Sequence, residues 1–117
     1  MIKTTESEFK EFKTLFMGWV RRFGLYGWTV YFRHEEVDGC FADINIDLEN
    51  MVATVRFTTE IDDDDLQDYD LYVIAKHEVM HLFTAKLAWL ANSRFATEVE
   101  IKSAVEEIAN SLGSLIV

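Results

Sequence analysis

Residues 70 to 90 read DLYVIAKHEVMHLFTAKLAWL, and they hold two of the chain's three histidines, His77 and His81, four positions apart with Glu78 beside the first. On an α-helix, residues i and i+4 lie on one face a turn apart, so both imidazoles can reach a single metal ion while Glu78 projects next to them. Val73, Ile74, Val79, Met80, Leu82 and Phe83 surround this turn. An apolar environment on nearly every side predicts a buried helix, and the pattern extends it from Leu66 to about Ala91. A buried histidine pair and glutamate without a partner would be costly, and a metal ion supplies one.

The flanking sequence must then frame this helix. Downstream, Thr97 and Glu100 have the spacing of a capping box, and Ile101, Val105, Ile108, Leu112 and Leu115 form the apolar seam of a C-terminal helix. Upstream, EIDDDDLQDYD (residues 60–70) breaks the apolar pattern and places negative charge where a helix N-terminus favours it. It lacks the glycine turn of an EF-hand loop, so a solvated lead-in to the helix is the expectation. Before it come WTVYFRH, CFADINID and MVATVRFT, three β-rich segments split by the turn-like EEVDG and LEN. Three short antiparallel strands are predicted. The chain opens on Phe9, Phe12, Leu15, Phe16, Trp19, Val20 and Phe23 at three- and four-residue steps, with Thr5 and Glu8 as a first capping box and GLYG as the stop. The expected fold class is α+β: an N-terminal helix, a small three-stranded antiparallel sheet, the HExxH helix and a C-terminal helix, in a single domain spanning residues 1–117.

Composition limits the function. Half of the 117 residues are hydrophobic and the formal net charge is −10, which suits a folding domain and leaves no basic footprint for a phosphate backbone. Nucleic acid is therefore not an expected partner. No apolar run approaches the roughly 20 residues of a membrane helix, and the first residues lack a secretory pattern, so no membrane is expected and a cytoplasmic location is. Cys40 is the one cysteine; it lies in an alternating apolar stretch where a buried, inert thiol is the expectation. The acidic cluster at residues 60–70 equally suits a solvated surface that promotes solubility.

His77-Glu78-x-x-His81 has the geometry of a zinc site in which two neutral imidazoles bind Zn²⁺ and the glutamate takes a proton from a water acidified by the metal. A structural zinc site usually closes with four protein ligands, often thiolates, so a chain with one cysteine fits a catalytic shell of three ligands and water better. His34, in the YFRHEE context of the first strand, carries no mark of a ligand. At these residues the chain resembles the zincin metallopeptidases, and within them the gluzincins, whose third ligand is a glutamate on the helix after HExxH. In the resemblance to thermolysin, EEIAN offers Glu106 as that ligand and Asn110 at the supporting position, where the family carries an aspartate. An asparagine carbonyl can accept an imidazole N–H, although less strongly than a carboxylate. Glu98, Glu100 and Glu107 compete. Measured around the helix from its apolar seam Glu98 is the nearer, yet its place in the first turn is explained by capping and dipole alone. The family pattern ranks Glu106 first, Glu98 second and Glu107 third.

The order of elements is similar to that of the minimal zincin-like proteins of bacteriophage and bacterial genomes. The resemblance implies that the strand before the metal helix borders the cleft, which makes MVATVRFT the edge for an extended peptide, around Ala53 to Val55. Tyr69, Tyr72 and Arg94 are the nearby oxyanion candidates, although such residues more often serve packing or solvation. Trp19 and Trp28 fit core positions, and Trp89 an exposed helix end. The function expected is a zinc-dependent, peptidase-like hydrolase acting on a peptide or protein, with Glu78 as general base and His77, His81 and Glu106 as ligands. The competing expectation is a catalytically inactive zincin-like scaffold serving as an acidic protein-binding module. The oligomeric state is unknown from sequence.

Overall fold

Thr5 and Glu8 close the expected capping box: the Thr5 hydroxyl accepts from the Glu8 N–H at 3.1 Å, and the Glu8 carboxylate accepts from the Thr5 N–H at 3.0 Å. They start helix α1 (Glu6–Arg22), which stops at Gly24, whose φ of 68° suits a residue without a side chain. The computed structural model describes residues 1–93 and 95–115, with side chains through Leu112. A short strand β1 (Ile2–Lys3) precedes α1, and β2 (Thr29–His34), β3 (Ala42–Asp47), β4 (Val52–Phe57) and β5 (Glu60–Ile61) follow. A 3₁₀ turn (Asp63–Asp68) leads to α2 (Leu71–Phe83), α3 (Ala85–Ala91) and α4 (Glu98–Leu115).

The three long strands form one sheet, in the order β2-β4-β3. β3 and β4 are antiparallel, as expected, but β2 runs parallel to β4, so the sheet is mixed. The misread segment is EEVDG. It does not close a hairpin; it carries the chain past the position β4 later fills, whereas the turn after β3 does reverse tightly, with Asp47 accepting from the Asn50 backbone and side-chain amides. Burial gives the reason. Ala53, Val55 and Phe57 of β4 are all fully buried, and the strand with the most apolar inner face belongs between two others. The register then matches inward side chains in rows, Val30–Ala53–Ile46, Phe32–Val55–Ile44 and His34–Phe57–Ala42. Larger side chains flank Ala53, and Ala42 lies beside Phe57.

Helices α1 and α2 cover this face. Phe12, Phe16 and Val20 from α1 and Phe23 just after it join Ile74, Ala75, Val79 and Leu82 from α2 in one core with the strand residues. Phe12 stacks on Phe57 at 4.9 Å, and Phe16 meets Phe32 edge-on at 5.4 Å. β1 pairs with β5 outside the main sheet.

The single helix expected from Leu66 to Ala91 is broken twice. Asp70 caps α2 by accepting from the Tyr72 and Val73 N–H groups, so the helix begins there rather than in the acidic run. At Thr84 the backbone leaves helical geometry and the hydroxyl donates to the Met80 carbonyl at 2.9 Å, a bond that competes with the helical ladder. Helix α4 starts at the predicted Thr97–Glu100 box. Its chief contacts are with α3. Of its expected seam, Ile101 and Ile108 are half-buried while Val105 and Leu112 are exposed, and Ala104 is the buried residue; the Leu115 side chain lies outside those described. No described helix is long and apolar enough to cross a membrane.

Candidate functional site

Helix α2 is two-sided at the HExxH turn. Ile74, Ala75, Glu78, Val79 and Leu82 are buried, whereas Val73, His77 and His81 are exposed. The expectation that this whole turn is buried is thus corrected: α1 and the sheet cover one side, and the other opens on a cleft. The imidazoles of His77 and His81 stand nearly perpendicular, with ring centroids 4.9 Å apart and their Nε2 atoms 3.2 Å apart. Two nitrogens each about 2.0–2.1 Å from one tetrahedral zinc ion stand about 3.3–3.4 Å from each other, so the pair fits a shared metal. Without metal, the same distance suits one imidazole N–H donating to the other ring's bare nitrogen.

Glu78 is only 5% exposed, and its carboxyl makes no hydrogen bond or ion pair with a described residue. Burial, reinforced by the negative charge of Asp43, pushes its carboxyl up to about 7. That value is poised for accepting and returning a proton near neutrality. The carboxyl lines the same cleft as the two histidines, a space of about 1160 Å³ between α2–α3 and β3 with the residues flanking it.

Several cleft residues escaped the sequence reading. Asp43, on β3, is held by Arg56 directly across on β4, with Nε to Oδ1 at 2.8 Å and a second, shorter bond from the same guanidinium. Such a pair is visible only once the strand register is known. Cys40 is exposed and lines the cleft, which corrects the expectation of a buried thiol; the turn at Gly39, with φ of 76°, precedes the strand and leaves Cys40 outside its alternation. Trp89 is exposed, as expected, and also lines the cleft.

The other candidates lie elsewhere. His34 bonds Thr4 Oγ1 through Nε2 at 2.7 Å and stacks on Phe9, which makes it a tie between the N-terminus and the sheet. Thr4 spends its hydroxyl proton on the Thr58 carbonyl, so His34 is the donor in that bond. Tyr69 donates to Glu8 at 2.5 Å and Tyr72 packs edge-on to Trp19, so neither aims at the cleft. Arg94 lies outside the described residues. On α4, Glu106 is exposed and is not among the residues lining the cleft, Glu107 pairs with Lys86 at 2.8 Å, and Glu98 pairs with Lys102 at 3.1 Å. Glu100 is engaged in the capping box, and Asn110 is exposed. The structure does not bring Glu106 to the histidine pair, and among the described residues no three His, Cys, Asp or Glu side chains gather as a metal shell. The proposed peptide edge also moves. Ala53 to Val55 lie in the central strand with both sides paired, and the strand that borders the cleft with one side unpaired is β3.

Compared with known proteins, the chain matches no family model, no curated protein and no solved structure.

Proposed function

We propose that this protein is a zinc-dependent, peptidase-like hydrolase acting at the cleft between α2 and β3. The observation that carries the reading is the pairing of two exposed imidazole nitrogens 3.2 Å apart with a buried, unpartnered carboxyl one residue from the first, all opening on one cleft. His77 and His81 would hold the ion through Nε2. Bound zinc supplies a Lewis acid and acidifies a water near neutral pH. Glu78 removes a proton from the attacking water and returns it to the departing amine, a shuttle that needs a carboxyl shielded from bulk solvent yet open to the cleft. The unpaired side of β3 offers backbone N–H and C=O groups along which an extended peptide can align, in place of the Ala53–Val55 edge. Glu106 is proposed as third ligand only on the resemblance to the gluzincins, since it stands outside the cleft lining in this structure.

The test is metal content by elemental analysis of untagged protein, followed by peptide hydrolysis. The expected result is close to one zinc per chain, lost in His77→Ala. Glu78→Gln should keep the metal and lower turnover by about 10²- to 10⁴-fold. Zinc loss in Glu106→Ala with the fold intact assigns the third ligand, and retention removes Glu106 from the shell. Wild-type protein that takes up no zinc and gains no thermal stability from added zinc would overturn the proposal. Bound zinc without any Glu78-dependent turnover would leave a metal-holding binding module.

A further inference from the structure

Charge is distributed unevenly around the cleft. Asp43, Asp47, Glu49, Asp68 and Glu78 all line it, and among the described residues no lysine or arginine does. Three described cations near it in sequence are engaged elsewhere: Lys76 lies over the Trp19 ring, Lys86 pairs with Glu107, and Arg56 is bound to Asp43. Asp43 is thereby ion-paired, and Asp47 is bonded by Asn50, but Glu49 and Asp68 make no ion pair with any described residue. Both are exposed. Within the same wall stands Glu78, a residue about nineteen-twentieths buried whose carboxyl lines the cleft without a side-chain partner among the described residues. Ile44, Ile46, Leu48, Ala85 and Ala88 supply apolar lining between these charges, and Trp89 adds a half-exposed indole.

An apolar wall interspersed with unpaired carboxylates matches a particular kind of side chain. Lysine and arginine carry three or four methylenes that lie along apolar surface while the charged head reaches an acid or an aromatic face. A neutral aliphatic side chain would leave the carboxylates unused, and an acidic one would be repelled by them. We infer that the cleft selects peptide segments carrying lysine or arginine, with Glu49, Asp68 and Trp89 as the residues that set this preference. The inference builds on the peptidase reading by naming its substrate class. Glu49, Asp68 and Trp89 are specificity residues, distinct from the proton carrier Glu78.

Binding and turnover separate the two ideas. In metal-free protein kept in chelator, calorimetric titration with three otherwise identical peptides bearing lysine, glutamine or glutamate at alternate positions reads selectivity without hydrolysis. At about 0.15 M salt, where exposed charges more than roughly 8 Å apart are screened, the lysine peptide should bind about 10-fold more tightly than the glutamine peptide, and the glutamate peptide should not bind measurably. The double substitution Glu49→Gln with Asp68→Asn should remove that 10-fold advantage. Glu11→Gln with Asp64→Asn, which changes net charge equally at exposed sites outside the cleft lining, should preserve it. Equal affinity for the lysine and glutamine peptides, equal loss in the two double variants, or no binding at all overturns the inference. Selective binding without zinc-dependent hydrolysis would sink the peptidase reading and leave the inferred preference standing; hydrolysis indifferent to peptide charge would do the reverse.

Discussion

At Glu78 the sequence and the fold pull in opposite directions. A carboxyl in an apolar turn costs free energy to keep charged, and the structure pays this by raising its protonation point from 4.5 to about 7, with burial as the larger cause and Asp43 as the smaller. A carboxyl whose folded value exceeds its unfolded value binds the proton more tightly in the folded state. Stability is therefore highest below about pH 4.5 with respect to this group, and falls as pH rises to about 7. In metal-free protein, denaturant titrations at pH 5 and pH 8 should show Glu78→Gln gaining about 2 kcal/mol on wild type between the two, less than the full shift because the carboxyl faces a solvent-filled cleft. Identical pH dependence in both proteins would refute the assignment. HExxH made Glu78 legible as a candidate, because spacing on a helix is local. Its contact with Asp43's field was not legible, because that aspartate is 35 positions away in the chain.

Helix α2 is the element on which the site depends, and its start is set by one side chain. Asp70 accepts from two of the first free N–H groups of the helix at 3.0 and 3.3 Å, and its negative charge also suits the positive end of the helix dipole. Asp70→Ala should cost about 1 kcal/mol of stability in a urea titration, while Asp70→Ser should recover most of it. A cost that serine fails to recover would show that the carboxylate acts other than as a cap. The helix at the HExxH stretch and the capping boxes at Thr5 and Thr97 were readable, since each involves residues within one turn. The break at Thr84 was not, since a threonine in a helical pattern bends or spares the helix according to what packs around it. The direction of β2 was equally hidden: alternation shows which face of a strand is buried, but it is the same for parallel and antiparallel pairing.

Across the whole molecule, stability is unevenly shared. The core draws on α1, the sheet and α2, while α4 rests chiefly on α3 and leaves Val99 and Val105 exposed, at 76% and 47%. The extents of 48 × 36 × 25 Å and the radius of gyration of 15.7 Å reflect that spread; a compact chain of this length would have a radius of about 13 Å. Amide hydrogen exchange should therefore show α4 opening at several kcal/mol less than β4, whose inward residues are fully buried. Equal protection of the two would mean that α4 is held by contacts beyond those to α3. The same arrangement explains why the glutamate expected from the last helix is not found beside the histidines: an apolar seam predicts that a helix packs, without specifying the neighbour or the rotation.

What the sequence determined by itself was local: the α+β class, the first and last helices, the three long strands, two capping boxes, and a histidine pair on one helix face beside a glutamate one residue on. These follow from backbone periodicity and hydrogen bonds that span at most a turn. Tertiary structure alone decided that β4 is central, that the histidines face a cleft while Glu78 is buried, that Asp43 meets Arg56, and that Glu49 and Asp68 line the cleft with no lysine or arginine among its described residues. Each of these depends on which distant segments share one core, and burial of apolar surface drives that choice without regard to distance along the chain.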